Sequence, residues 1–548
     1  MNKLLERIKI FGPYLLLILI IVLPWITKRG YLFFVDLSWG PNIALPEWTS
    51  NWFYFWFIIK IFSFFIPADI LQKIFIVIVF GVVLLGGYKI GESLTKAKNI
   101  LFLSSAFALF NPFVYDRFMY GQFGVVLSYG FFLIFFAYLI RFYFEFQKKQ
   151  VIFAGIFAGL SILFSIHFIF FIFLICLFLG VLILIKYGGS KENLSKIINY
   201  FFLFLLFILV INFNWLYGAF LGDESLKEFI ATKITEKDLW AFRTRGYSYS
   251  EVLKNVFFMS GFWGSEQFRY IPLKDIKPIW GWSFYLLFLI IVLGLVVSFK
   301  DKEKLRLTIA LIFVFIISFI LAIGIALPIT SKINHWLFDN FFFYKGLREP
   351  QKWVAVIVAV YLFFLVSGLI ELFKNEIFNK NKKLMIFVLI LITELIILQA
   401  PLLIKGGAGQ IKALQYPKDW HEVENFIFKD SNCQKKILFL PWHLYMNFKW
   451  IGNIVVNPAQ NFFRCSVIYG ENMEFGEIYT QSLKPEQQDI EAWLNSFGNT
   501  DLLSKNSLNI GYIVLAKEAD WEKYLWIEND PNLDILKETE NLKVYKVK

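Results

Sequence analysis

Asn111-Pro-Phe-Val-Tyr-Asp-Arg-Phe-Met-Tyr-Gly-Gln122 stands between two apolar runs, residues 100–110 and 123–142. Runs of this kind belong in a bilayer, so the stretch falls at a membrane boundary. An Asp116–Arg117 pair placed there, flanked by Tyr115 and Tyr120, is costly unless paired or wetted, and such charges mark functional sites. Two readings of the stretch stand. In one it is only a connecting turn, opened by Asn-Pro and closed by Gly121. In the other it is half of a polar site on the outer membrane face, whose other half is Asp36 in the first outer loop.

Composition agrees with the bilayer. Hydrophobic residues make up 58% of the 548, and Phe alone occurs 67 times. A soluble chain of this length needs more polar surface, so the class is a polytopic α-helical membrane protein. The net charge of +12 then reflects Lys and Arg gathered in cytoplasmic loops, and no nucleic-acid partner is implied. Lys3, Arg7 and Lys9 precede the first apolar run, and no small-residue cleavage site follows it. That run reads as an uncleaved first helix with a cytoplasmic N-terminus. Residues 151–185 are too long for one ordinary span and are split at Ser165-Ile166-His167. With that split, the basic clusters at Lys96/Lys98, Lys148/Lys149, Lys186–Lys196, Lys300–Arg306 and Lys374–Lys383 all fall on one side. The count is about eleven spans. Glu394, in the last of them, is expected to face other helices.

The division is a transmembrane catalytic domain over 1–403 and an extracytoplasmic soluble α/β domain over 404–548. In the latter, residues 437–441 and 511–516 read as buried strands, and 542–547 alternate like an edge strand. Residues 418–428 and 485–496 read as helices. Cys433 and Cys465 lie in this domain, and pairing and free thiols both stay open; no zinc-ligand spacing is present. Between the spans, residues 48–65 suit a helix lying in the outer interface. A long outer loop, 217–280, carries Asp223, Glu224, Arg243, Arg245, Trp263, Glu266 and Arg269 and suits ligand contact. Another, 328–352, carries Arg348 and Glu349.

The candidate site is external and holds Asp36, Asp116, Arg117, Tyr120, Gln122, His167, Arg348 and Glu349. Carboxylates such as Asp36 and Asp116 take a proton from a hydroxyl or hold a divalent ion, Mg or Mn. Arginine presents two planar donors to a phosphate. Blander readings remain for several: Asp36 as the cap of a turn, His167 as a hydrogen-bonded histidine in a helix contact, Arg348 as the partner of Glu349. No phosphate-binding P-loop, dinucleotide fingerprint or Gly-x-Ser-x-Gly elbow is present, which argues against an ATP-driven pump or a serine hydrolase.

With Asp36 in the first outer loop, the Asn-Pro-x-x-Tyr-x-Arg-x-x-x-Gly-Gln run at 111–122, Leu-Arg-Glu-Pro-x-Lys at 347–352 and an outer C-terminal domain, the chain resembles the GT-C superfamily of membrane glycosyltransferases. That superfamily includes protein mannosyltransferases, oligosaccharyltransferases, arabinofuranosyltransferases and YfhO-like proteins. The resemblance implies transfer of a sugar from a polyprenyl-phosphate donor to a glycan, lipid or protein acceptor at the outer face of the cell membrane. Asp36 matches the position of the catalytic acidic residue, and Asp116 the acidic position some members carry in the second outer loop. Here the first loop has a single Asp before Leu, not Asp-x-Asp or Asp-Glu, and the C-terminal domain has no Trp-Trp-Asp, unlike an oligosaccharyltransferase. Two other functions compete. A lipid or glycan transporter places charges at mid-membrane and repeats its halves, and no such repeat is visible. A non-catalytic membrane scaffold for cell-envelope glycan assembly tolerates replacement of Asp36 and Asp116.

Overall fold

A computed structural model describes residues 2–221, 230, 233–276, 279–475, 478–482, 484–497 and 508–548; Asp223 and Glu224 lie outside these. The chain divides into two compact units. The first takes Met1–Leu23, Phe75–Tyr217 and Phe242–Gln410, the second Pro24–Ile74, Gly218–Ala241 and Ile411–Lys548.

The first unit is a helical bundle. Among the described residues of the whole chain, seven helices are long and apolar enough to cross a membrane, or up to eight if the bent pair Lys382–Ile397 and Pro401–Ala408 is one span. The expected count of about eleven is not confirmed. Helix Asn2–Ile26 has 25 residues, whereas Lys98–Leu109 has 12 and Lys148–Phe164 has 17. Helix Lys191–Ile211 is strongly apolar, yet none of its residues is buried. In water that face would be a large exposed hydrophobic patch; in lipid it is simply solvated. The protein is a multi-pass membrane protein.

At the centre, Val354–Lys374 is buried along most of its length. Helix Ile279–Lys300 lies against it through a glycine pair. A Cβ on Gly294 would come within 1.8 Å of the Phe364 carbonyl oxygen, and one on Gly368 within 2.0 Å of that of Ile290, so only glycine lets these backbones meet. The split expected at Ser165–His167 is present: Lys148–Phe164 ends there and Phe168–Tyr187 begins. Glu394, expected to face other helices, is instead exposed.

The second unit is built on a five-stranded sheet: β1 (Lys436–Leu440), β2 (Val467–Ile468), β3 (Ile510–Ala516), β4 (Leu533–Glu538) and β5 (Leu542–Val547), in the order β4-β5-β3-β1-β2. β1 runs parallel to β2 and β3, while β3–β5 and β5–β4 are antiparallel. Alternate residues of β1 and β3 feed two cores. Ile437, Phe439, Tyr512 and Val514 join Trp420 and Phe462 on one face; Leu438, Leu440, Ile513 and Leu515 join Trp493 on the other. Residues buried on both faces explain why these strands read as continuous apolar runs. Residues 542–547 are not an edge strand, as their alternation suggested. β5 lies between β4 and β3, and the inward Lys543 is satisfied by Glu528 at 2.7 Å and Glu538 at 3.3 Å. The expected helices are Lys418–Ser431 and Pro485–Asn495, and Cys433 and Cys465 form a disulfide.

Residues 31–42, in the expected first outer loop, belong to this second unit. Tyr31–Leu32 pairs antiparallel with Ala413–Leu414. Gln72 holds Leu32 from the other side, accepting from its N–H at 2.8 Å and donating to its carbonyl at 2.6 Å. Of residues 48–65, expected as one helix, Phe53–Phe62 is helical, with only Ile59 buried.

Candidate functional site

Residues 111–122 are more than a bare connecting turn. They hold a short helix, Pro112–Tyr120, with all nine residues buried. Its ends are set locally. The Asn111 side chain accepts from the Val114 N–H at 3.1 Å, Pro112 takes the first turn, and Gly121 closes the helix at φ 91°, where a side chain would be strained.

Adjacent helical residues point about 100° apart, so Asp116 and Arg117 meet different partners. Arg117 is fully buried and donates to Gln122, to Glu349 Oε2 at 2.7 Å and to Gln351 Oε1 at 2.6 Å, while its guanidinium lies 4.2 Å from the Phe262 ring centre. Glu349 also accepts from Lys352 at 2.8 Å and from the Trp263 indole at 2.9 Å. Burial works to raise the Glu349 carboxyl, but Lys352 and Arg117 overcome it and hold the group well below the usual carboxylate range. His167 stands 3.3 Å from Lys352 and 3.0 Å from the Gly346 carbonyl oxygen. Burial, then Lys352, pushes it down to about 3, so it is neutral. Arg117, Gln122, His167 and Glu349 are thus brought together, with Gln351, Lys352 and Trp263 added. Tyr120 borders this cluster through its ring against Phe262 and Trp263, and its hydroxyl donates to Gln267 at 2.7 Å. Arg348 is half-buried, its guanidinium 4.6 Å from the Phe242 ring centre.

Asp116 looks elsewhere. Tyr270 donates to its Oδ1 at 2.8 Å. Burial pushes its carboxyl up to about 7, against Tyr270's hydrogen bond and the positive Arg117 and Lys274. Beside it is a cavity of about 20 Å³ bordered by Arg245, Glu266 and Lys274, room for a water rather than a sugar ring.

Asp36 lies in the second unit. Phe34 and Leu37 exchange backbone hydrogen bonds of 3.0 and 3.4 Å, leaving Val35 and Asp36 at the tip of a tight turn. Asp36 is half-buried, and Tyr445 donates to its Oδ1 at 3.0 Å. Sequence reasoning missed Tyr445, Tyr270, Gln351, Lys352 and Trp263 as partners. Trp263 and Tyr270 stood in the loop 217–280, and Gln351 and Lys352 in the stretch 347–352, both already singled out; nothing local distinguished Tyr445. Among the described residues, no three His, Cys, Asp or Glu side chains gather as a metal-binding group.

A wholly apolar groove of about 540 Å³ is lined by Phe142, Val151, Cys176, Leu184 and Tyr200, among others. Phe142 is nineteen residues along its helix from Phe123, roughly 28 Å at 1.5 Å per residue. The groove therefore adjoins the far end of that helix and not the Pro112–Tyr120 cluster.

No protein-family model and no curated protein match the chain. Solved structures do. The cryo-EM structure of the arabinofuranosyltransferase AftD from Mycobacteria matches at a TM-score of 0.58 and 12% identity, over 98% of this chain and 40% of AftD. A mutant form of AftD gives 0.55 at 12% identity, over 98% and 41%. ArnT from Cupriavidus metallidurans in the apo state aligns over 98% of both chains at 10% identity with a TM-score of 0.39, too low to argue from. The chain shares its fold with AftD over nearly its whole length. The chain spans about 40% of the length of AftD.

Proposed function

We propose that the chain transfers a sugar from a polyprenyl-phosphate donor to an acceptor hydroxyl at the extracytoplasmic face, with Asp36 as general base. The observation that carries this reading is Asp36 itself: a half-buried carboxylate on a tight turn of the first outer loop, anchored at one oxygen by Tyr445, in a GT-C fold. The acceptor oxygen attacks the anomeric carbon as its proton passes to Asp36. The bond from that carbon to the phosphate oxygen breaks, and its electron pair leaves with the polyprenyl phosphate. That leaving group is good without protonation, so one carboxylate suffices where glycoside hydrolysis uses two. Of the two candidate arginines, Arg348 is the one proposed to meet the phosphate, because Arg117 is enclosed by Gln122, Glu349 and Gln351. The Arg117 cluster, with Tyr120 and His167, is proposed to hold the loop that carries Arg348, through the adjoining Glu349. Asp116 is proposed to help hold substrate near Tyr270 once the cavity beside it opens.

The test uses the purified full chain in nanodiscs. It is supplied with radiolabelled polyprenyl-phosphate arabinofuranose, mannose and galactose and with cell-envelope glycan as acceptor, with and without Mg, Mn or a chelator. Label is expected to move to acceptor from one of these donors, and Asp36→Asn, which keeps the shape and removes the base, is expected to stop it. Absence of transfer from every donor, or normal turnover in Asp36→Asn, overturns the reading. The orientation, with a cytoplasmic N-terminus and an extracytoplasmic C-terminal domain, is tested by a tag on Lys548 probed in intact cells. A tag reachable only from the cytoplasm rejects it.

A further inference from the structure

The C-terminal domain grips the turn that carries Asp36. Strands Tyr445–Phe448 and Asn453–Val456 form a hairpin in which Tyr445 and Val456 are directly opposed. Both members of that pair reach the turn: the Val456 N–H donates to the Val35 carbonyl at 2.8 Å, and the Tyr445 hydroxyl donates to Asp36 Oδ1 at 3.0 Å. One contact fixes the backbone of the two-residue tip, and the other fixes the carboxylate it carries. The grip continues along the loop. Tyr416 donates to the Trp39 carbonyl at 2.8 Å, and the Asn42 N–H donates to the Asn461 carbonyl at 2.9 Å.

We propose that Tyr445 is a positioning residue for Asp36, so that the C-terminal domain aims the base rather than serving as a separate module. This rests on the reading of Asp36 as the base. A carboxylate on a turn has free χ1 and χ2 unless something holds it. A hydrogen bond to one oxygen sets the plane of the group and the direction of the other. Proton abstraction needs heavy atoms within hydrogen-bond reach, and an error of about 1 Å costs up to roughly a hundredfold in rate. The Tyr445 hydroxyl supplies that alignment without touching substrate.

The experiment compares Tyr445→Phe, Tyr416→Phe and Asp36→Asn in the full chain, with the polyprenyl-phosphate sugar that the wild-type protein uses. Each phenylalanine variant removes one hydroxyl from the docked loop, but only Tyr445→Phe removes one from the carboxylate. Tyr445→Phe is expected to lower kcat about tenfold with KM unchanged and the melting temperature close to wild type. Tyr416→Phe is expected to change kcat only as far as it changes the melting temperature. If Asp36→Asn is inactive while Tyr445→Phe keeps wild-type kcat, or if its kcat loss merely tracks lost stability as in Tyr416→Phe, the positioning role is wrong and the base stands. If Asp36→Asn turns over normally, the base assignment falls and the positioning role with it.

Discussion

Arg117 and Glu349, 232 positions apart, form a buried ion pair of 2.7 Å, with side-chain exposures of 0% and 13%. Glu349 also neutralises Lys352 at 2.8 Å, so one carboxylate answers two buried cations. Removing one partner of a buried pair leaves the rest uncompensated, at a cost of about 3–5 kcal/mol. Glu349→Gln keeps the volume and takes the charge away. It is expected to lose stability of that order, read as a large drop in melting temperature in detergent. A variant that melts with the wild type would mean that water or lipid headgroups already screen this cluster.

Arg348 differs from Arg117 in being half-buried and stacked 4.6 Å over Phe242. A guanidinium can present two parallel donors to a phosphate. Arg348→Lys keeps the charge but loses the planar fork. Its donor KM is expected to rise about tenfold, the scale of one charge-assisted hydrogen bond, with little change in melting. Wild-type KM and kcat in Arg348→Ala would remove this residue from the donor site.

Asp116 gives the fold a pH dependence whose sign is fixed by its raised carboxyl. Its ordinary value is about 3.9, and burial brings it to about 7, Tyr270's hydrogen bond notwithstanding. Between these values the folded chain keeps a proton that the unfolded chain has shed. This group's contribution to stability therefore falls as pH rises through that window and levels off above it. Asp116→Asn has no such term. Melting curves from pH 5 to 8 are expected to show the variant gaining on the wild type as pH increases. Parallel curves would mean that Asp116 is already ionised at pH 5.

How much of this could be read from the chain depended on range. The break at Ser165–His167 was legible because 35 apolar residues exceed one span, and the caps at Asn111 and Gly121 because capping is local. The buried strands of the C-terminal domain were legible from their continuous apolar runs. The place of Leu542–Val547 was not, since Lys543 and Lys546 mimic an edge until Glu528 is seen to satisfy the inner lysine. The span count was less legible, because Lys98–Leu109 is apolar yet only 12 residues long. The site partners were the least legible. Tyr270 lies 154 positions from Asp116, and Tyr445 lies 409 from Asp36; nothing in either local sequence marks the pairing.

The docking of the first loop on the C-terminal domain turns on one small residue. Gly40 follows Trp39 at the point where the loop passes over residues 459–462, the short helix Ala459–Phe462. A Cβ there would stand 2.2 Å from the Asn461 carbonyl oxygen and 2.6 Å from its carbon. Both are backbone atoms and cannot rotate away as the end of a side chain would. The same carbonyl accepts from the Asn42 N–H at 2.9 Å, and the Asn461 side chain donates to the Ser38 carbonyl at 2.9 Å. Gly40→Ala must therefore push the loop off its partner and break bonds on both sides of residue 40. The expected cost is about 1–3 kcal/mol, the usual scale of overpacking. Because Asp36 is only four residues away, kcat should fall together with stability, and limited proteolysis should cut the first loop sooner than in the wild type. If Gly40→Ala is cut and melts like the wild type, this contact does not hold the loop, and the aim of Asp36 must come from Tyr445 and Val456 alone.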